Sequence, residues 1–181
     1  MERPVVRITS LVAFAIVLAT DVIYVALINA QNQGASDDMP YVPRFVAGYL
    51  ALMAALVALA LLPRREIEPL RFAMRAAAAA GLLGLGILAA MSVGLPLVLA
   101  GILVGVALGR TTQAPGASAM RRLAGLMAAV LSLGVAFVGL DLASRAIVCP
   151  EVGQSGGGGS HLLGGTYQYE CNNGELRMTS G

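Results

Sequence analysis

The sequence predicts an all-α integral membrane protein, a five-transmembrane-helix bundle with a small disulfide-stapled extracytoplasmic β-hairpin tail. Three observations carry this expectation. Only 12% of the residues are charged while 57% are hydrophobic; an average soluble domain carries about 25% charged residues, so this chain has too little charge to cover a soluble surface. Apolar runs long enough to cross a hydrocarbon layer of about 30 Å recur along the chain. The arginines also gather on one side of the threading that those runs imply.

The first span is "VVRITSLVAFAIVLATDVIYVALINA", residues 5–30. It reads as a retained helix rather than a cleaved signal peptide, because it is long for a signal core and carries Asp21. The second is "FVAGYLALMAALVALALL", residues 45–62. A continuous apolar run follows from Phe72 to Gly109. As one straight helix it would be about 57 Å long, nearly twice the layer it must cross. "SVGLP" breaks it: Gly94 tolerates unusual backbone angles, and Pro96 suits the start of a new helix. The third and fourth spans are therefore expected at 70–92 and 96–110, the fourth short enough to need local thinning of the bilayer. The fifth covers 123–148, which closes a membrane domain at 1–148 and leaves 149–181 as the tail.

Arginine placement tests the turn independently. All twelve basic residues are Arg. With five spans, nine of them share one side: Arg3, Arg7, Arg64, Arg65, Arg71, Arg75, Arg110, Arg121 and Arg122. Arg44, Arg145 and Arg177 take the other. Cytoplasmic loops attract Arg, so the N-terminus is expected in the cytoplasm and the C-terminus outside, in the plasma (inner) membrane of a bacterium. Without the turn the bias largely vanishes. All eight prolines fall at or beyond an expected helix end, where the helix-breaking cost of about 3 kcal/mol is avoided. Arg7 and Arg75 lie near helix starts and are expected to snorkel to the interface as topology anchors.

In the tail, Cys149 and Cys171 both fall on the expected outer side and read as a structural disulfide. "TYQYECNNGELRMT" has strand-forming residues around a tight-turn signal and reads as a hairpin. "SGGGGSH" reads as a flexible glycine tract. His161 beside it is expected to be solvated.

The polar residues inside the spans are the candidate functional positions. Asp21 and Asp141 fall at similar depth in the outer part of the bilayer, and intramembrane acids are costly enough to need partners. Tyr24 shares a helix face with Asp21, and Arg145 and Ser144 lie beside Asp141. Asp21, Tyr24, Asp141, Ser144 and Arg145 therefore form a candidate intramembrane polar cluster, with Asp141–Arg145 a self-neutralising pair in its plainest form. "VGLDLA" lacks the Gly that directly precedes the Asp of Gly-x-Gly-Asp intramembrane proteases.

Gly101, Gly105 and Gly109 form a GxxxG-type ridge on the fourth span. Gly81 and Gly84, and Ala47, Ala51 and Ala55, suggest similar small-residue faces. On this reading Gly105→Leu disturbs folding or assembly more than Leu103→Ala.

The inventory narrows the chemistry. A single His in the tail leaves no His pair in the spans for haem, two Cys cannot make a four-ligand zinc site, and no Lys is present for a Schiff base or a Walker-type loop. No metal or cofactor is expected. No basic run exceeds two residues, so nucleic acid is not an expected partner. The expected function is that of a non-catalytic accessory or structural subunit of a membrane complex, partnered by the lipid bilayer and by other membrane subunits or its own copies. The competing expectation is a small ion, proton or solute transporter or channel that uses the intramembrane Asp and Arg residues.

Overall fold

The computed structural model describes residues 4–31, 41–63, 70–90, 93–112, 119–149, 154–159, 166–172 and 175–180. Among the described residues, five helices are long and apolar enough to cross a membrane: α1 (Pro4–Gln31), α2 (Tyr41–Leu61), α3 (Arg71–Leu88), α4 (Gly94–Thr112) and α5 (Ala119–Arg145). A three-stranded sheet follows: β1 (Gln154–Gly159), β2 (Thr166–Asn172) and β3 (Glu175–Ser180). The protein is a polytopic helical membrane protein with a disulfide-linked C-terminal sheet. Its contacts divide it into two compact units, Met1–Ala26 with Ala47–Ala136, and Leu27–Val46 with Phe137–Gly181.

In the first unit, α3 and α4 form an antiparallel hairpin. Gly86 lies against Val98 and Leu83 against Gly101, so the numbering runs in opposite directions. α3 ends at Leu88, earlier than expected, and Gly94–Pro96 form the first turn of α4 instead. The Gly94 amide donates to the Ala89 carbonyl at 2.8 Å, and a Cβ on Gly94 would stand only 2.6 Å from that same oxygen. Only glycine permits so close a return of the backbone. Starting at Gly94 and running on to Thr112 lengthens α4 to 19 residues, about 28 Å at the α-helical rise. It therefore nearly matches the hydrocarbon layer and needs no marked thinning.

α5 runs parallel to α3. Phe72 meets Gly125, the Gly81 position faces Ser132, and Gly84 faces Leu133, the numbers rising together. The Arg71 Nη2 donates to the Leu62 carbonyl at 2.6 Å and so ties the end of α2 to the start of α3. A cation on the last carbonyls of a helix satisfies acceptors that have no partner within it. α3 is the most enclosed helix: 50% of its span is buried, against 17% for α1 and α5. Its inward stripe is Arg75, Ala78, Ala79, Leu82 and Leu85, at helical spacing. The many exposed Leu, Val, Ile and Met side chains of α1, α4 and α5 are the surface that lipid covers.

The prolines sit where a missing amide hydrogen costs little. Pro4 opens α1, and Pro96 is the third residue of α4. α2 starts four residues earlier than expected, which brings Pro43 inside its first turn; that position still lacks an intrahelical acceptor for an amide. Pro63 follows α2. Pro40, Pro69, Pro115 and Pro150 lie outside the described residues.

In the second unit, the Phe45 ring packs against Gly139, and α5 stops at Arg145, three residues before the expected end. The sheet is antiparallel in the order β1-β2-β3. β2 pairs with β3 from Tyr167↔Ser180 to Asn172↔Glu175, the register that an Asn-Gly step at 173–174 predicts. The glycine tract is a correction: "QSGGGG" is strand β1, paired with β2 from Gln154↔Cys171 to Gly159↔Thr166. Glycine has low strand propensity, yet its amide and carbonyl bond as well as any others. The second edge of β2 would otherwise present unpaired backbone groups.

Candidate functional site

The inward line of α1 is Val6, Ser10, Ala13, Val17 and Thr20, alternating steps of four and three. Thr20 Oγ1 donates to the Ile16 carbonyl at 2.8 Å, while the buried Ser10 hydroxyl has no hydrogen-bond partner among the described residues. Tyr24 continues this line half-buried, with Asp21 beside it. Asp21 Oδ1 is buried and accepts no hydrogen bond among the described residues.

On α5, the Arg145 Nε lies 3.1 Å from Asp141 Oδ2, one turn apart on one face. The Asp141 side chain is 9% exposed and that of Arg145 34%. The Ser144 hydroxyl donates to the Asp141 carbonyl at 2.8 Å. The structure thus brings Asp141, Ser144 and Arg145 together. Asp21 and Tyr24 belong to the first unit, three positions apart on α1.

A second polar constellation escaped the sequence reading. The Tyr49 hydroxyl on α2 donates to the Ser132 carbonyl on α5 at 2.9 Å and stands 2.9 Å from the Ser132 hydroxyl. The Ser132 hydroxyl lies 3.7 Å from the Met53 sulfur. All three crowd the bare backbone of Gly81 on α3, where a Cβ would fall 2.5 Å from Tyr49 Oη and 2.6 Å from both Met53 Sδ and Ser132 Oγ. Three helices therefore meet at one buried polar point. A signal was present in the spacing of Val46, Tyr49, Leu50, Met53 and Val57, all buried, which marks the inward stripe of α2.

Arg75 is a correction. It does not snorkel: at 2% exposure it is the largest fully buried side chain. Its position on the α3 stripe, one turn past Arg71, turns it inward. Arg7, by contrast, is exposed.

The small-residue ridges pack within this chain only in part. Gly101 packs against Leu83, but among the described residues nothing beyond their own helix lies within 4 Å of where a Cβ would stand on Gly105 or Gly109. Within this chain the seam does not run through Gly105. A row of residues four apart drifts about 40° around the helix at each step, so Gly101, Gly105 and Gly109 spiral off the inward face. The actual inward line of α4 is Leu97, Ala100, Val104 and Ala107. On α2, Ala51 and Ala55 are exposed for the same reason and Ala47 is half-buried.

Cys149 and Cys171 form a disulfide with Cα atoms 5.4 Å apart. Among the described residues no three His, Cys, Asp or Glu side chains gather as they would around a metal ion. His161 lies outside the described residues. No known family model matches the chain, and it has no significant match among curated proteins or solved structures.

Proposed function

We propose that this protein is a non-catalytic accessory or structural subunit of a membrane complex, set in the plasma (inner) membrane with its N-terminus cytoplasmic and its sheet outside. The observation that carries the reading is how the described polar groups in the spans are used. Tyr49 and Ser132 tie α2 to α5, Arg71 ties α2 to α3, and Asp141 is neutralised by Arg145 within one helix. Such bonds close a fold. A disulfide in the tail supports the proposed orientation, because disulfides persist on the oxidising side of a membrane, and the arginine distribution supports the same side.

One observation favours the transport reading: the buried, unbonded Oδ1 of Asp21 is the kind of intramembrane acid that proton pathways use. Flux measurement separates the two. The purified protein is reconstituted in liposomes holding a pH-sensitive dye, with an imposed proton gradient. A structural subunit leaves the decay at the rate of empty liposomes. A transporter accelerates it, and Asp21→Asn abolishes the acceleration.

A further inference from the structure

The sheet has two unlike faces. Residues directly opposed in an antiparallel pair share a face, so Tyr169 with Met178 and Cys171 with Leu176 make one face, and Gln168 with Thr179 and Glu170 with Arg177 make the other. Its centre makes the first face mainly apolar, with Gln154 and Ser180 in the same register at its margins, and the second face is polar. On the apolar face, Tyr169 and Cys171 are buried, while Leu176 and Met178 remain 40% and 47% exposed.

The disulfide is on the apolar face. Cys149 stands four residues beyond the last residue of α5, a stretch that reaches at most about 14 Å, and its Cα is 5.4 Å from that of Cys171. The helix itself locates the membrane boundary. A span of about 30 Å takes about 20 residues; counted from Arg122, it ends near Leu142. Arg145 then lies at headgroup level, and the disulfide clamps the apolar side of the sheet close to that level.

We propose that the sheet is an interfacial element, lying on its own bilayer with Leu176 and Met178 in the headgroup–acyl boundary. The occupant of the exposed apolar face is the phospholipid that already surrounds α5. Apolar surface reaches the tether itself: Leu142 is 58% exposed and Val148, just past the helix end, 47%. Amphipathic helices settle about 5–10 Å into this boundary, and a sheet with one apolar and one polar face presents it with the same two surfaces. The polar face, with Glu170 and Arg177, is left to water. The placement is independent of which side of the membrane the tail occupies and of whether the protein is a subunit or a transporter.

The chain contains no Trp, so one introduced Trp reports alone. Full-length Met178→Trp and Thr179→Trp variants are reconstituted in phosphatidylcholine liposomes, with and without bromine on the acyl chains. Met178→Trp is expected to emit further to the blue and to be quenched several-fold more by brominated lipid than Thr179→Trp, with the order reversed for aqueous iodide. Quenching of Met178→Trp by iodide to the extent of Thr179→Trp overturns the proposal, since the face is then in water. Protection from both quenchers also overturns it, since protein then covers the face. If Met178→Trp fails to form its disulfide, Leu176→Trp on the same face is read by the same criteria.

Discussion

The Tyr49 hydroxyl donates to the Ser132 carbonyl across 83 positions of sequence, at 2.9 Å, in the interior of the helical bundle. The bond joins α2 to α5, and Gly81 of α3 supplies the space in which it forms. In lipid no hydrophobic force drives one helix onto another, so packing and interhelical hydrogen bonds carry the association.

Tyr49→Phe keeps the ring and removes the bond. A loss of about 1 kcal/mol is expected, the usual scale for such bonds in membrane proteins. Gly81→Ala inserts a methyl group into contact with three side chains and is expected to cost about 1–3 kcal/mol through overpacking. Unfolding in mixed detergent micelles measures both. No change for Gly81→Ala would mean that the three helices do not converge there.

The α3–α4 hairpin makes a sharper comparison. Gly101→Leu drives a side chain into Leu83, where a Cβ alone already stands 2.8 Å from Cγ and 3.1 Å from the backbone nitrogen. Gly105→Leu enters open space. The isolated chain in detergent is expected to lose stability with the first substitution and to keep it with the second. Equal losses would return Gly105 to an internal seam.

Removing one member of the Asp141–Arg145 pair leaves the other without its countercharge. Arg145→Gln is expected to destabilise more than the double variant Asp141→Asn/Arg145→Gln, with a coupling of about 1 kcal/mol because Arg145 is partly exposed. A double-mutant cycle on thermal stability in detergent gives the value, and zero coupling would show that the pair contributes nothing.

The disulfide closes a separation of 22 residues, worth about 3 kcal/mol to the tail in the loop-entropy model. Cys149→Ser/Cys171→Ser is expected to speed amide exchange throughout β1, β2 and β3 while exchange in α3 stays unchanged. Four of the six residues of β1 are glycine and give the sheet little side-chain packing, so a sheet that kept its protection would have to be held by something other than the bridge.

Much of this architecture was legible in the sequence. Membrane insertion depends on the apolar content of each segment, and the bend depends on length, because a helix from Phe72 to Gly109 is too long for one crossing. The cysteine pairing followed from there being only two, and the β2–β3 register from the Asn-Gly step. These are properties of local stretches, set by solvent and backbone geometry.

Which face of each helix turns inward was a different matter. Periodicity offers no contrast in a span that is apolar all round, so Arg75 looked like an interfacial anchor and Gly105 like a seam. Only the neighbours of α3 place Arg75 inside, and only the drift of a four-residue row around α4 carries Gly105 and Gly109 away. The glycine tract became a strand because β2 had an edge to offer. The Tyr49–Ser132 bond exists because packing brings polar atoms of two helices distant in sequence within 3 Å of each other, and in lipid that approach is decided by shape complementarity among side chains far apart in the chain.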